Sequence, residues 1–121
     1  MTRRLRLVIA DDEDDIRQGL SRLLDKLGYE VVADASNGRE LVELCRKLVP
    51  DLVLTDIRMP FMSGIQAANE LSKTHAIPFI VMSSFERPSD EELDCKPVAD
   101  YLVKPVRVPD LQLAISRASI L

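Results

Sequence analysis

Short apolar runs alternate with stretches of helix-like apolar spacing along this chain. Five runs are largely apolar at consecutive positions, as expected of strands that helices cover on both faces; they are Leu5–Ala10, Val31–Ala35, Leu52–Thr55, Phe79–Met82 and Tyr101–Val103. Strands that alternate with helices indicate repeated βα units and a parallel sheet. The pattern therefore predicts an α/β fold in which helices cover both faces of the sheet.

Apolar residues at helical spacing predict helices between and after these runs. The first ends at Gly28, which supplies a C-terminal cap, and the second follows Asn37 and Gly38 and stops at Pro50. The third begins near Ser63, and the last begins near Asp110, which can cap it. The defining apolar positions are Ile16, Leu20, Leu23, Leu24 and Leu27 in the first helix, Leu41, Leu44, Cys45 and Leu48 in the second, Ile65, Ala68 and Leu71 in the third, and Leu111, Ala114, Ile115 and Ala118 in the last.

Length and composition are those of one globular domain over residues 1–121. Apolar residues make up 46% of the chain and charged residues 30%, a balance typical of soluble proteins. A net charge of −4 argues against binding to a nucleic-acid backbone. We therefore expect Arg3, Arg4 and Arg6 to be solvated rather than to contact nucleic acid or a membrane.

Cysteine use and the length of the apolar runs predict a cytoplasmic protein. Cys45 and Cys95 form no CxxC motif or Cys/His cluster, so both are expected to be free thiols, with Cys45 filling the core. No run approaches the roughly 20 apolar residues of a membrane span. Leu5–Ala10 is also too short for a signal peptide.

Candidate chemistry lies at the carboxyl ends of four predicted strands. Asp11 and Asp12 close the first strand, Asp56 the third, Ser83 the fourth and Lys104 the fifth. Open parallel sheets bind ligands outside the carboxyl ends of their strands, where the winding reverses. In a flavodoxin-like, doubly wound sheet with strand order 2-1-3-4-5, these four strands are neighbours and the second strand is an edge. The five polar side chains would then meet in one crevice.

The charge in such a crevice predicts a divalent cation. Three converging carboxylates repel one another by about 4 kcal/mol per pair at 4 Å and an effective dielectric constant near 20, and Lys104 can offset one charge. Oxygen ligands without Cys or His favour Mg²⁺ or Mn²⁺ over zinc. Each residue alone can equally be an ordinary turn former. His75, the single histidine, is expected near a helix C-terminus and not as a metal ligand.

Three sequence blocks resemble the response-regulator receiver domains of two-component signalling, including the chemotaxis regulators, over essentially the whole chain. The blocks are VIADDE with its acidic pair, LVLTDIRMPFMSG with Asp56, Met59, Pro60 and Gly64, and YLVKP near the C-terminus. Three blocks in order and at the right spacing are more specific than a lone motif. The resemblance implies a receiver fold and a switch controlled by phosphorylation.

The resemblance also implies the roles of the acidic residues. Asp56 would be the phosphoacceptor. The metal would be bound by Asp12, Asp56 and the backbone carbonyl of Arg58, with Asp11 reaching it through water. A carboxylate is a competent nucleophile toward an in-line phosphoryl donor once a metal and a lysine stabilise the charge.

Other residues are implied to respond to the phosphoryl group. Ser83 would hydrogen-bond it, Lys104 would pair with it, and Tyr101 would be the aromatic switch, although a partly buried edge aromatic is the alternative for Tyr101. The Lys104–Pro105 bond is expected to be cis. We also hypothesise that Arg58 and Phe85 overhang the phosphoryl group and set its lifetime, the alternative being that both side chains point to solvent.

The resemblance weakens between residues 84 and 100, where Pro88 and Pro97 interrupt the usual fourth helix. Proline inside a helix costs about 3 kcal/mol, so we predict a short or mobile helix confined to residues 89–96. Ser89 and Glu92 can form its capping box. Partner choice and the size of the switch depend on this segment.

The resulting functional prediction is Mg²⁺-dependent phosphorylation of Asp56 that alters the face around the fourth helix, the fifth strand and the fifth helix. The domain would catalyse only its own phosphorylation and dephosphorylation. A histidine kinase or histidine phosphotransfer protein is the expected partner, and an effector domain after Leu121 and a homodimer are left open. The alternatives are a pseudo-receiver scaffold without phosphoryl transfer and an aspartyl phosphatase, against which Arg58 replaces the second Asp of a DxD motif.

Overall fold

Parallel strands form one sheet at the centre of the molecule. A computed structural model of the chain describes residues 4–84, 89 and 96–119. In chain order these residues form β1 (Arg6–Ala10), α1 (Asp14–Lys26), β2 (Glu30–Ala35), α2 (Gly38–Leu48), β3 (Leu52–Asp56), α3 (Gly64–Ser72), β4 (Phe79–Ser83), β5 (Val98–Val103) and the C-terminal helix α4 (Val108–Ser119). The strand order is β2-β1-β3-β4-β5, and each pairing is parallel. The predicted α/β fold, its strand order and the edge position of the second strand are confirmed.

The core lies in two layers, one on each face of the sheet. Along β1, Val8 and Ala10 pack with α2 and α3, whereas Leu7 and Ile9 pack with α1 and α4. Successive strand residues point to opposite faces, so a strand covered on both faces must be apolar throughout. This geometry explains why the central strands are visible in the sequence as continuous apolar runs.

Local side-chain chemistry defines several helix ends. The Asn37 side chain accepts the backbone N–H three residues on and begins α2, and Ser63 forms a reciprocal capping box with Gln66 at the start of α3. At the end of α1, Gly28 has φ +96°, and the N–H groups of Gly28 and Tyr29 donate back to carbonyls of the last turn. This is a Schellman motif, and the three predicted helix boundaries are confirmed.

The last strand is longer than the sequence predicted. β5 begins at Val98 and not at Tyr101, because Val98 pairs with Phe79 through a register shift in the β4 ladder. Asp100 interrupts the apolar run that marks the strand in sequence. An edge strand tolerates this interruption because one of its sides does not pair.

The C-terminal helix begins earlier than predicted, at Val108 and not near Asp110. Asp110 therefore does not cap the helix but lies in its first turn, where a carboxylate still interacts favourably with the helix dipole. Pro109 is tolerated in this turn because the N–H that proline lacks would have no partner within the helix. Leu111 makes the first backbone hydrogen bond, to the carbonyl of Arg107.

The N-terminal arginines bind backbone carbonyls close to helix ends. Arg4 is exposed, as predicted, whereas Arg6 is half-buried and so only partly solvated. Arg4 donates to the carbonyls of Gly28 and Tyr29 just beyond α1, and Arg6 donates to those of Leu48 and Val49 at the end of α2. The last carbonyls of a helix have no intrahelical donor, and arginine near them also complements the dipole. Residue 3 lies outside the described residues.

Cys45 fills the core, as predicted. Its side chain is fully buried, and burial raises the pKa of the thiol to about 12, so it is an inert thiol at neutral pH. Ile16, by contrast, is 39% exposed although the helical spacing placed it on the apolar face of α1. None of the helices in the described part of the chain is long and apolar enough to cross a bilayer.

The predicted short helix at residues 89–96 cannot be compared with the structure. Of its residues, Ser89 and Lys96 belong to the described part of the chain. The positions between them lie outside it, as do Phe85 and Pro88.

Candidate functional site

The carboxyl ends of β1, β3 and β5 bring four charged side chains together. Carboxylate oxygens of Asp11, Asp12 and Asp56 all lie within 4.8 Å of one another. Lys104 Nζ is 2.7 Å from Asp11 Oδ2 and 3.4 Å from Asp56 Oδ2. The predicted meeting of these residues, which are up to 93 positions apart in the chain, is confirmed.

Asp11 is held by bonds to its backbone and to its side chain. Its N–H donates to the carbonyl of Ala35 at the end of β2, and its Oδ1 accepts the N–H of Glu13 at 2.9 Å. Its Oδ2 accepts from Lys104. The carboxylate is fully buried, and a buried carboxylate persists only when its oxygens have such partners.

The backbone of Asp56 requires glycine at the start of α3. A Cβ added to Gly64 would lie 2.3 Å from the Asp56 carbonyl oxygen and 2.9 Å from Thr55 Cγ2. The same carbonyl accepts a hydrogen bond from Thr55 Oγ1 at 2.9 Å. Gly64 thus lets the helix approach the strand end closely enough to fix the Asp56 backbone.

Lys104 enters the site from the end of β5. Its N–H donates to the carbonyl of Ser83 at 2.8 Å, which continues the β4–β5 ladder by one residue. Its side chain is only 13% exposed. The Lys104–Pro105 bond is cis, as the resemblance implied.

Burial and charge shift two pKa values in this cluster. Burial raises the pKa of Asp56, and the charge of Asp11 adds to this, while Lys104 opposes it. Burial alone would lower the pKa of Lys104, but its hydrogen bonds to Asp11 and Asp56 and their charges outweigh that effect and raise it. Lys104 therefore stays protonated, and the cluster holds more negative charge than one ammonium neutralises.

The donor set fits a hard divalent cation. Within the described ranges, Asp11, Asp12 and Asp56 are the one trio of potential metal ligands grouped this closely, and all three offer oxygen, which Mg²⁺ prefers. Two oxygens bound to one Mg²⁺ at about 2.1 Å are at most about 4.2 Å apart. Separations within 4.8 Å fit this requirement if the side chains move slightly or if one carboxylate reaches the ion through water.

The loop after Asp56 forms one wall of a cleft of about 400 Å³. Asp12 also lines this cleft, and Arg58 is exposed on the loop. Gly38 at the start of α2 supports this loop: its N–H donates to the Met62 carbonyl at 3.0 Å, and a Cβ there would lie 2.1 Å from that oxygen. The cleft is therefore open to solvent beside the acidic cluster while its wall is held from behind.

Ser83 and Tyr101, two other predicted site residues, lie on β4 and β5. Ser83 ends β4 one residue beyond Met82, the partner of Asp56. Tyr101 lies in β5 opposite Val81 and packs, half-buried, against the core layer of α2 and α3. Both positions suit the implied roles, which stay predictions.

Two predicted residues remain, Phe85 and His75. Phe85 lies outside the described residues. His75 follows the end of α3, with Nδ1 2.8 Å from Thr74 Oγ1, and belongs to no metal-ligand group among the described residues. The expectation that it stands near a helix C-terminus is confirmed.

Sequence reasoning missed two residues that support the site. Arg17 contacts the carbonyl of Asp11 from α1, and Gly38 contacts the loop after Asp56. A glycine next to a helix cap is a signal that was available but ambiguous, because it also suits a turn. Nothing in the periodicity distinguishes Arg17 from an exposed helical arginine.

Comparisons with known proteins agree with this geometry. A family model described as the response regulator receiver domain matches residues 7–116. The chain is 40% identical over 117 residues to the transcriptional regulatory protein PdtaR of Mycobacterium tuberculosis, covering 93% of this chain and 57% of PdtaR. It is 34% identical over 116 residues to the chemotaxis protein CheY of Thermotoga maritima, covering 94% of this chain and 97% of CheY.

The fold is also that of a solved response regulator. A crystal structure of a DNA-binding response regulator of the LuxR family from Staphylococcus aureus matches with a TM-score of 0.87 at 30% identity, covering 95% of this chain and 98% of that one. The chain spans about half the length of some curated relatives, with 57% of PdtaR and 47% of the positive alginate biosynthesis regulatory protein of Pseudomonas aeruginosa. With its sheet order, acidic cluster and matched family model, the chain belongs to the response regulator receiver domain family.

Proposed function

We propose that this receiver domain accepts a phosphoryl group on Asp56 from a histidine kinase or histidine phosphotransfer protein. The observation that carries the proposal is the convergence of Asp11, Asp12 and Asp56 with Lys104, whose Nζ lies 3.4 Å from Asp56 Oδ2. Asp56 is 5% exposed as a residue but lies beside the open cleft next to Asp12. A donor can therefore approach from that cleft.

The proposed step transfers phosphorus from nitrogen to oxygen. A carboxylate oxygen of Asp56 attacks the phosphorus, the P–N bond of the phosphohistidine breaks, and its electron pair returns to the imidazole nitrogen, which takes a proton from water. The product is an acyl phosphate on Asp56. Lys104 stands where it can stabilise the negative oxygens of the group in transfer, because its ammonium already spans Asp11 and Asp56.

Asp11, Asp12, Asp56 and the backbone carbonyl of Arg58 would hold the divalent ion in this proposal. When bound, Mg²⁺ supplies positive charge that offsets the charge on the phosphoryl oxygens. Without it, the three carboxylates face a single ammonium. The oxygen-only donor set supports Mg²⁺ or Mn²⁺ as the cofactor.

The output of the proposed switch lies on the β5 side of the sheet. A phosphoryl group adds a charge of about −1.5 to −2 and new acceptor oxygens, which Ser83 and Lys104 would bind in this proposal. Tyr101 is half-buried in β5, where an inward shift of its side chain would change the surface near the C-terminal helix. We assign the output to that face, to a partner or effector domain such as relatives carry.

Several further properties belong to the same proposal. The domain turns over no separate substrate and catalyses only its own phosphorylation and dephosphorylation. It acts in the cytoplasm and makes no direct contact with nucleic acid, which its net charge of −4 supports. Arg58, exposed on the wall of the cleft, and Phe85 modulate the lifetime of the phosphoryl group.

Labelling with a small phosphodonor tests this function. The chain is incubated with ³²P-labelled acetyl phosphate and Mg²⁺, with Asp56→Asn and Lys104→Met variants and with EDTA as controls. We expect one alkali-labile phosphoryl group per chain in the wild type and none in Asp56→Asn or in EDTA. A folded wild type that takes no label from acetyl phosphate or from a kinase would favour the pseudo-receiver alternative, and steady release from a phosphomonoester would favour the phosphatase.

A further inference from the structure

Arg17 connects three elements behind the acidic cluster. Its Nη1 donates to the backbone carbonyl of Asp11 at 2.8 Å, its Nε to Asp34 Oδ1 at 2.8 Å, and its Nη2 to Asp14 Oδ1 at 2.6 Å. These acceptors belong to the end of β1, to β2 and to the first turn of α1. One planar guanidinium thus fixes the turn that carries Asp11 and Asp12.

The surroundings of Arg17 differ from those of an ordinary surface arginine. Its side chain is 13% exposed, whereas that of Arg46, which pairs with Glu70 at 3.5 Å, is 45% exposed. The rigid fork of arginine suits several acceptors at fixed directions, which a lysine ammonium on a flexible stem does not match. The contact with a backbone carbonyl also constrains the chain itself and not just a mobile side chain.

Asp11 is consequently held from two sides. Lys104 binds its carboxylate at 2.7 Å, and Arg17 binds its carbonyl at 2.8 Å. The direction of the Asp11 carbonyl sets the orientation of the next peptide and therefore the position of Asp12. Since five consecutive carboxylates, residues 11–15, occupy this turn and the start of α1, their repulsion would otherwise spread the turn.

We propose that Arg17 is a positioning residue of the cation site: it fixes the β1–α1 turn so that Asp11 and Asp12 present their oxygens to one ion. This inference rests on the proposed function, because it assumes that the site takes Mg²⁺. It predicts the direction in which the affinity for Mg²⁺ changes when Arg17 is replaced, and this direction is opposite to the one expected from charge alone. Removing a nearby cation should tighten Mg²⁺ binding if Arg17 acts only through its charge, and should weaken it if Arg17 positions the ligands.

Titration of the whole chain with Mg²⁺, followed by calorimetry or by amide chemical shifts, measures whether the Kd rises or falls. We expect Arg17→Met to raise the Kd for Mg²⁺ about tenfold, the lower end of the range for residues that orient metal ligands. Arg17→Lys, which keeps the charge but not the fork, should raise it by a smaller factor. Arg46→Met, which breaks an ion pair away from the site, should leave it unchanged.

A readout without metal separates this inference from the function it rests on. In EDTA, hydrogen exchange of the Glu13 amide, which donates to Asp11 Oδ1, should be about tenfold faster in Arg17→Met and unchanged in Arg46→Met. Should Arg17→Met fail to fold, Arg17→Lys is compared in the same way. Mg²⁺ affinity equal to or above that of the wild type, or an unaltered Glu13 amide, would overturn the inference. A wild type that binds no Mg²⁺ contradicts the proposed function, while the exchange experiment still decides the role of Arg17.

Discussion

Removing the charge of Asp56 should stabilise the metal-free protein. The proposed phosphoacceptor lies between two other carboxylates and one ammonium, and burial raises its pKa. The charge that the proposed phosphoryl transfer requires therefore lowers the stability of the fold when no cation is bound. The substitution Asp56→Asn keeps the size of the side chain and removes its charge.

The magnitude follows from the distances. At an effective dielectric constant near 20, a carboxylate whose oxygen lies within 4.8 Å of one on Asp56 repels it by about 3.5 kcal/mol or more. Lys104 at 3.4 Å attracts it by about 5 kcal/mol on the same scale. Two repulsions outweigh one attraction by about 2 kcal/mol, and because Asp12 is exposed, solvent screens part of its share. We expect the free energy of unfolding to rise by about 1 to 2 kcal/mol.

Urea unfolding at pH 7 in EDTA measures the difference. Saturating Mg²⁺ should stabilise the wild type by preferential binding to the folded state and should reduce or reverse the advantage of Asp56→Asn. Glu43→Gln, a matched change at an exposed position of α2, should alter stability by less than about 0.5 kcal/mol.

The raised pKa of Asp56 also determines how the stability of the wild type, relative to Asp56→Asn, changes with pH. Because the pKa of Asp56 is raised in the folded state, protonation of Asp56 favours folding at acidic pH, and this contribution is lost as the pH rises through the folded pKa. The advantage of Asp56→Asn in EDTA should therefore be greatest at neutral pH and shrink as the pH falls below that pKa. An Asp56→Asn protein that is no more stable than the wild type at pH 7 in EDTA would refute the electrostatic reasoning.

Three other predictions concern the backbone and the phosphoryl lifetime. Gly38→Ala should lower the free energy of unfolding by about 1 to 3 kcal/mol, because the added Cβ would lie 2.1 Å from a backbone oxygen. Gly19→Ala should raise it by about 0.5 to 1 kcal/mol, because a Cβ at this position inside α1 would meet nothing within 4 Å. Equal effects of the two substitutions in urea unfolding would contradict this contrast. Val49→Gly should raise it by a few tenths to about 1 kcal/mol, because a β-branched residue at φ 44° is strained in the left-handed region, and an unchanged unfolding midpoint would count against that strain. Phe85→Ala should speed the decay of the ³²P label if Phe85 shields the acyl phosphate from water, and an equal or slower decay would remove Phe85 from that role.

The cluster at the strand ends illustrates a general conflict between stability and function. Asp11 and Asp56 are buried carboxylates, and each costs free energy unless it is paired. The protein offsets this cost with Lys104, whose Nζ pairs with both carboxylates. Asp12 stays exposed, so the proposed cation would have access from solvent.

Sequence alone was sufficient for the central strands, most helix ends and the residues of the cluster. Central strands are buried on both faces, so they are continuous apolar runs in the sequence. Helix caps such as Asn37, Ser63 and Gly28 act on backbone groups within a few residues. The cluster was predictable because the strand order places successive carboxyl ends side by side. Sequence patterns thus determine the central strands and the helix caps, which depend on residues close in the chain, and the cluster, which follows from the strand order.

Tertiary structure alone decided the features that depend on partners distant in the chain. β5 extends back to Val98 because β4 offers a ladder there, although Asp100 hides the strand in sequence. Arg4 and Arg6 bind backbone carbonyls more than twenty residues away, and Arg17 differs from other helical arginines only through acceptors that the fold brings to it. A hydrogen bond depends on position within a few tenths of an ångström, and residue type along the chain does not specify that position until the sheet and its helices have packed.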